Sequence, residues 1–135
     1  MTIDFSLSPE LEAIRLRIRE FINAEVKPVE KIIESEKLDE TDRDKYVSHL
    51  IEMRKKAFAE GLWLPHMPKE WGGMGLGHVE LAMVQAEAAK SHYGPWVLNC
   101  QAPDEGNMHT LLHWGAQEQL DKYLKPLCEG RTTSC

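Results

Sequence analysis

The chain has 135 residues, with 22 acidic and 16 basic side chains, and a formal net charge of -6. A chain of this length folds as one domain that buries about two thirds of the surface exposed when it is unfolded, so we expect a single core. The acidic balance lacks the basic surplus that draws proteins to phosphate backbones, so nucleic acid is not an expected partner.

The first predicted helix opens at Ser8 and Pro9. Serine caps free amide groups, and proline at the next position has no amide to leave unsatisfied. Apolar residues then recur at helical spacing, at Leu11, Ile14, Ile18, Phe21 and Ile22. The pattern predicts an amphipathic helix that ends at about Glu25, before Pro28.

A second helix is predicted after three candidate caps, Asp39, Thr41 and Asp42, and Gly61 is its expected end. Its apolar members are Tyr46, Val47, Leu50, Ile51, Met53, Ala57 and Phe58. Residues 62–77 read LWLPHMPKEWGGMGLG, which predicts an irregular loop with buried aromatic anchors.

Residues 79–89 read VELAMVQAEAA, and their apolar circumference predicts a helix that is covered on several sides. The run QAPDEGNM predicts a turn, and a helix through Met108, Leu111, Leu112 and Trp114 ends at Gly115. Residues 116–129 supply the last helix, and the β-branched residues within 131–135 are typical of a strand that begins. The expected fold class is therefore all-α, a bundle of five or six helices.

The three cysteines are Cys100, Cys128 and Cys135, an odd number without a CxxC pair. This usage indicates free thiols in a reducing compartment, and neither Cys100 nor Cys128 has an identifiable base that would make it a nucleophile. Residues 1–25 alternate charged and apolar groups, so we expect neither a signal peptide nor a membrane span.

The glycines of residues 72–77 precede a helix, a position where free amides can bind phosphate. No β-rich strand comes before them and no Gly-Lys-Ser/Thr follows, so a tight packing loop is the favoured interpretation.

His109 and His113 are spaced by four, as in some zinc sites, but the spacing indicates no third ligand. We therefore expect a packed or exposed pair and assign no metal site. Asp104 and Glu105 follow a proline at the start of a predicted helix, where capping is a better interpretation than general base chemistry.

The order of seven motifs resembles the acyl-CoA dehydrogenase family over essentially the whole chain. The motifs are residues 5–9 (FSLSP), 61–63 (GLW), 68–77 (PKEWGGMGLG), 99–108 (NCQAPDEGNM), 115–119 (GAQEQ), 123–127 (YLKPL) and 129–130 (EG). The run QAPDEGNM is most similar to the branch that contains the tenth and eleventh mammalian members and their bacterial relatives.

The resemblance implies that residues 1–130 are the N-terminal helical domain of such an enzyme and that residues 131–135 begin a β-domain. Family enzymes oxidise acyl-CoA thioesters with FAD, pass electrons to an electron-transfer flavoprotein and form homo-oligomers. Their glutamate base and their flavin contacts correspond to no residue here, so we expect this chain alone to be inactive and to bind no flavin. The family also implies the cytoplasm of a bacterium, or the mitochondrial or peroxisomal matrix.

By position in the family, four residues correspond to the distal end of the acyl pocket: Leu98, Asn99, Ala102 and Pro103. Core packing is the competing interpretation of these four residues. A second hypothesis for the chain as a whole is a stand-alone helical module that binds acyl groups or docks other proteins without catalysis.

Overall fold

The computed structural model describes residues 6–135, so Phe5 of the opening motif lies outside the described part. The helices are α1 (Pro9–Phe21), α2 (Lys27–Glu36), α3 (Leu38–Thr41), α4 (Arg43–Ala59), α5 (His78–Ala88), α6 (Gly94–Val97), α7 (Asp104–Trp114), α8 (Gln117–Gln119) and α9 (Lys125–Cys128). No strand forms within residues 6–135, which confirms the all-α class. In that same range no helix is long and apolar enough to cross a membrane.

Two pairs of these helices are continuous, so the number of separate helices in the described residues is close to the five or six that were expected. A π-turn over Ile22–Val26 joins α1 to α2, and a second one over Leu120–Leu124 joins α8 to α9. The described residues therefore form five long helices, with α3 and α6 as additional single turns.

The first helix does not end at about Glu25, so that prediction was wrong. The N–H of Lys27 donates to the carbonyl of Ile22, five residues earlier, and the chain continues through Pro28 to Glu36. Proline has no N–H to donate, and its ring needs space in the preceding turn of a helix. A π-turn widens the helix locally and therefore accommodates Pro28. Pro126 follows the second π-turn at the same distance.

Helix α4 begins as the sequence indicates, because the Asp42 side chain accepts a hydrogen bond from the Lys45 N–H at 3.0 Å. Its inner face carries Leu50, Met53 and Ala57. Three of the residues predicted as apolar members lie on the outer face instead: Val47, Ile51 and Phe58.

The loop of residues 62–77 passes through the core, as its aromatic content predicts. Leu62, Trp63, Leu64 and Met67 are buried. The Trp63 indole donates to the Cys128 carbonyl at 2.8 Å, and the Leu64 N–H donates to the Leu98 carbonyl at 3.0 Å. This loop therefore connects α4, α6 and α9 through one buried segment.

Helix α5 contacts α1 and α6, and its Gln85 is hydrogen-bonded to α7, but one face stays exposed, so the helix is less enclosed than its composition predicts. Leu81, Val84 and Ala88 are buried, whereas Val79 is 67% exposed. Much of the exposed face consists of alanines, whose small side chains lose little by contacting water.

Glu87, also on the buried face of α5, joins this helix to α1. Its carboxylate accepts hydrogen bonds from Arg15 at 2.6 Å, from Arg19 at 2.7 Å and from Lys90 at 2.6 Å. The hydrogen bonds from Arg19, and then those from Lys90 and Arg15, lower the pKa of Glu87 to about 2 although its burial acts in the opposite direction. The carboxylate is thus ionised inside the protein and holds α1 and α5 in one relative position.

We expect Glu87→Gln to destabilise the fold by about 2 kcal/mol at neutral pH, because the substitution removes the anion that three cations surround. The folded pKa lies below the ordinary value of 4.5. The stabilisation is therefore complete above the unfolded pKa and is lost as the pH falls from about 4.5 towards about 2. Urea unfolding between pH 7 and pH 3 should show a shallower pH dependence in this variant than in the parent.

Glu36→Gln is the control, since the pair of Glu36 and Lys45 is largely exposed. This variant should unfold like the parent within about 0.5 kcal/mol. Equal effects of the two substitutions would contradict the role given to Glu87.

Candidate functional site

Backbone amides of the glycine loop, residues 72–77, form hydrogen bonds within residues 64–76. The five N–H groups from Gly72 to Leu76 donate to the carbonyls of Leu64, Pro65, Met67, Pro68 and Lys69 at 2.9–3.2 Å. A Cβ added to Gly73 would lie 2.0 Å from the Met67 carbonyl oxygen. The glycines therefore permit close packing of the loop on itself, and these five amides do not form a cradle for phosphate.

The turn of residues 98–103, between α6 and α7, contains all four expected acyl-side residues, but it places them in two environments. Leu98 and Asn99 are buried, at 0% and 1% exposure. The Asn99 amide donates to the Leu127 carbonyl at 3.0 Å, and its backbone adopts φ 56°, which asparagine tolerates. These two residues hold the turn against the core.

Ala102 and Pro103 are exposed, unlike Leu98 and Asn99, and the peptide bond between Ala102 and Pro103 is cis. Gly106, in the first turn of α7, is also exposed, and a Cβ added there would meet nothing within 4 Å. The start of α7 therefore presents a surface that carries no large side chain at these three positions.

Asp104 does not act as the expected helix cap. Its side chain is buried, and its carboxylate accepts hydrogen bonds from the Ser134 N–H and the Ser134 hydroxyl, both at 2.6 Å. The Ser134 oxygen also accepts from the Asn107 amide at 2.9 Å. Asp104 thus holds Ser134 against α7, and residues 131–135 form no strand where one was expected.

Glu105 forms a bridge to α5. The Gln85 amide donates to the Glu105 carboxylate at 2.8 Å and to the Cys100 carbonyl at 3.1 Å. The sequence pattern did not indicate this contact, because the two side chains are 20 residues apart on different helices. It secures the start of α7 on the side that faces α5.

His109 contacts His66, a residue that the spacing argument did not include. The His66 Nε2 atom lies 3.1 Å from the Asn99 carbonyl oxygen, which can only accept, so Nε2 carries the proton. The neutral His66 ring then accepts at Nδ1 from His109 Nε2 at 3.1 Å. Burial lowers the pKa of His66, which favours this neutral form.

The rings of His109 and His113 stack with their centroids 6.1 Å apart. Within the described residues there is no group of three or more histidine, cysteine, aspartate or glutamate side chains placed to hold a metal ion. His109 is half-buried and His113 is exposed, so the two rings are stacked neighbours on α7.

The two core thiols are poorly suited to nucleophilic chemistry. Cys100 and Cys128 are buried, and burial raises the pKa of Cys100 to about 12 and that of Cys128 to about 11. A thiol with such a pKa is almost entirely protonated at neutral pH. Cys135 is exposed.

Comparison with known proteins gives one consistent result. A sequence profile of the acyl-CoA dehydrogenase N-terminal domain matches residues 8–131. Acyl-CoA dehydrogenase family member 11 from Homo sapiens is 35% identical over 127 residues, which are 92% of this chain and 16% of that protein. Family member 10 from Mus musculus is 35% identical over 134 residues, which are 96% of this chain and 12% of that protein.

A solved structure from Mycobacterium abscessus, described as that of an acyl-CoA dehydrogenase, superposes with a TM-score of 0.80 and 36% sequence identity. The match covers 93% of this chain and 33% of that one. The chain thus spans about a third or less of the length of these relatives.

The packing role of the glycine loop predicts opposite outcomes for two alanine substitutions. Gly73→Ala should destabilise by roughly 2–4 kcal/mol, because its Cβ overlaps the Met67 carbonyl. Gly106→Ala should gain about 0.5 kcal/mol, because it meets open space in a helix. Chemical unfolding of both variants tests this, and a neutral Gly73→Ala would argue against the packing role.

The thiol environments predict that one of the three cysteines reacts quickly in the native protein. At neutral pH an aromatic disulfide reagent should modify Cys135 at the rate of a free thiol, and Cys100 and Cys128 should react only as the protein unfolds. In Cys135→Ser the fast phase should disappear. A second fast thiol in the native state would mean that the core is more open than the structure shows.

Proposed function

The chain belongs to the acyl-CoA dehydrogenase family, and from this premise we propose that it is the N-terminal helical domain of an FAD-dependent enzyme that forms the α,β double bond of acyl-CoA thioesters. The match of the N-terminal domain profile over residues 8–131 carries this proposal. The superposition on the Mycobacterium abscessus structure, which this chain covers by 33%, supports the same position within a longer protein.

The proposed domain boundaries follow from this assignment. Residues 1–130 form the helical domain, and residues 131–135 lead towards a β-domain. This division is supported by residues 131–135, which belong to no helix and are tied to the helical part by the hydrogen bonds between Ser134 and Asp104.

Within this domain we place the acyl-side surface at the start of α7. Ala102 and Pro103 would contact the acyl chain directly, because they are exposed, and Leu98 and Asn99 would support the turn from behind, because they are buried. The open space at Gly106 extends the same surface by one helical turn. Small side chains at these positions leave room for a flexible hydrocarbon.

In the proposed full-length enzyme, the chemistry that bound FAD would supply is that of a hydride acceptor. We assign no flavin contact and no catalytic base to residues 6–135, since the glycine-loop amides are engaged within the loop and Glu105 is paired with Gln85. The contribution of this chain is to bind and orient the acyl group and to exclude water from one side of it. The same proposal includes three further properties that the family implies. They are a homo-oligomeric assembly, an electron-transfer flavoprotein as the electron acceptor, and a location in a bacterial cytoplasm or an organelle matrix.

A stand-alone module without catalysis is the second candidate. One observation favours it: the described residues form a continuous buried cluster that extends from Ile18 to Cys128. Such a core could support independent folding, and the exposed surface at Ala102 and Pro103 would then serve acyl binding alone.

The purified 135-residue protein tests the domain proposal. We expect no visible flavin absorbance and no dye reduction with acyl-CoA, because neither the base nor the flavin contacts is assigned to this chain. Flavin bound in stoichiometric amount would contradict the domain proposal.

An acyl-CoA titration followed by NMR is the companion measurement. Saturable shifts confined to residues 102–106, together with a cooperative monomer, would favour the stand-alone module. Weak shifts at the same residues are the result expected for one wall of a larger pocket.

A further inference from the structure

A cleft of about 520 Å³ opens between α4, α6 and residues 129–133. Its lining combines an apolar part with a polar part. The apolar part consists of Ile51, Phe58, Trp63 and Trp96, and the polar part includes Lys55, Arg131 and Thr132. None of these residues belongs to the proposed acyl-side surface.

Arg54 forms part of the lining and has an unusual environment for a charged group. It is 8% exposed, and its guanidinium lies between two indole rings, 4.6 Å from the Trp63 centroid and 4.2 Å from the Trp96 centroid. The Nη1 atom donates to the Trp96 carbonyl at 2.9 Å. The Nη2 atom is buried and has no hydrogen-bond partner.

The charge of Arg54 lacks a paired anion among the residues that the structure describes. The Asp104 carboxylate is near enough to raise the pKa of Arg54, but it is hydrogen-bonded to Ser134, and burial still lowers that pKa to about 10. Glu129, in the same lining, is paired with Arg131. A cationic group at neutral pH therefore stands in the wall of the cleft with its Nη2 atom unsatisfied.

The geometry points to a binding site for a small carboxylic acid with an aliphatic or aromatic body. We propose that its carboxylate accepts from Arg54 Nη2 and pairs with Lys55, while its apolar body packs on Trp96, Phe58 and Ile51. Gly130 covers Nη2 without a side chain, since a Cβ added there would lie 3.1 Å from it. The proposal therefore requires a small shift of the half-buried Gly130 and of the exposed residues 131–133, so that a carboxylate oxygen reaches Nη2.

A monoanion with an apolar body fits this cleft better than a phosphate. Phosphate sites use several converging donors, often backbone amides or bidentate arginines, whereas Nη2 is the one Arg54 atom that is buried without a partner. The lining also supplies aromatic surface that a phosphate would not use. This proposal does not depend on the proposed dehydrogenase function.

The test uses the 135-residue protein with hexanoate as the probe, and hexanol and inorganic phosphate as comparison ligands. Hexanoate should shift the indole NMR signals of Trp63 and Trp96 saturably, and hexanol should bind about tenfold more weakly, since a charge-assisted hydrogen bond is lost. Equal affinity for hexanol, or tighter binding of phosphate, would overturn the assignment.

Variants on α4 separate this cleft from any other binding surface. Arg54→Met should weaken hexanoate binding about tenfold or more, and Arg43→Met, at an exposed arginine of the same helix, should leave it unchanged. Because Arg54 also donates to Trp96, Ile51→Trp serves as a second test, since it fills the cleft from a 44% exposed position. Hexanoate affinity that survives Ile51→Trp, or moves to residues 102–106, would refute the proposal.

Discussion

Glu87 is an ionised carboxylate on the buried face of α5, and two guanidinium groups of α1 reach it there. The remaining buried residues of α5 are apolar, and apolar contacts are not directional. An ion pair inside a protein contributes less to stability than its Coulomb energy suggests, but its partners must meet in one geometry. The contact therefore defines the relative position of two helices whose apolar surfaces alone leave it less determined.

Sequence patterns predicted the features that depend on neighbouring residues. Ser8 caps α1 and Asp42 caps α4, as their residue types indicate, because a cap needs only the amides of the next turn. The aromatic content of residues 62–77 likewise indicated burial. Such signals act over three or four residues and remain readable without knowledge of the fold.

Features that depend on distant residues were not accessible in the same way. Asp104 has the position of a cap, but Ser134, 30 residues later, satisfies its carboxylate. Composition gave α5 several apolar sides, yet Val79 stays exposed because the number of neighbouring helices is a property of the whole bundle. The four residues expected at the acyl pocket differ in burial for a similar reason. Leu98 and Asn99 are buried against the core, whereas Ala102 and Pro103 are exposed.

The two π-turns have a consequence for how this sequence is aligned and drawn. Each α-helical residue advances the side-chain direction by about 100°, and a π-turn contains one residue more than an α-turn between its hydrogen-bonded groups. The faces of the helix after Pro28 are therefore rotated relative to those of a regular α-helix continued from Pro9. A homologue that lacks one residue in 22–26 could keep both helical faces as a regular α-helix. A single-residue gap at this point would then represent a change of helical phase and not a lost loop.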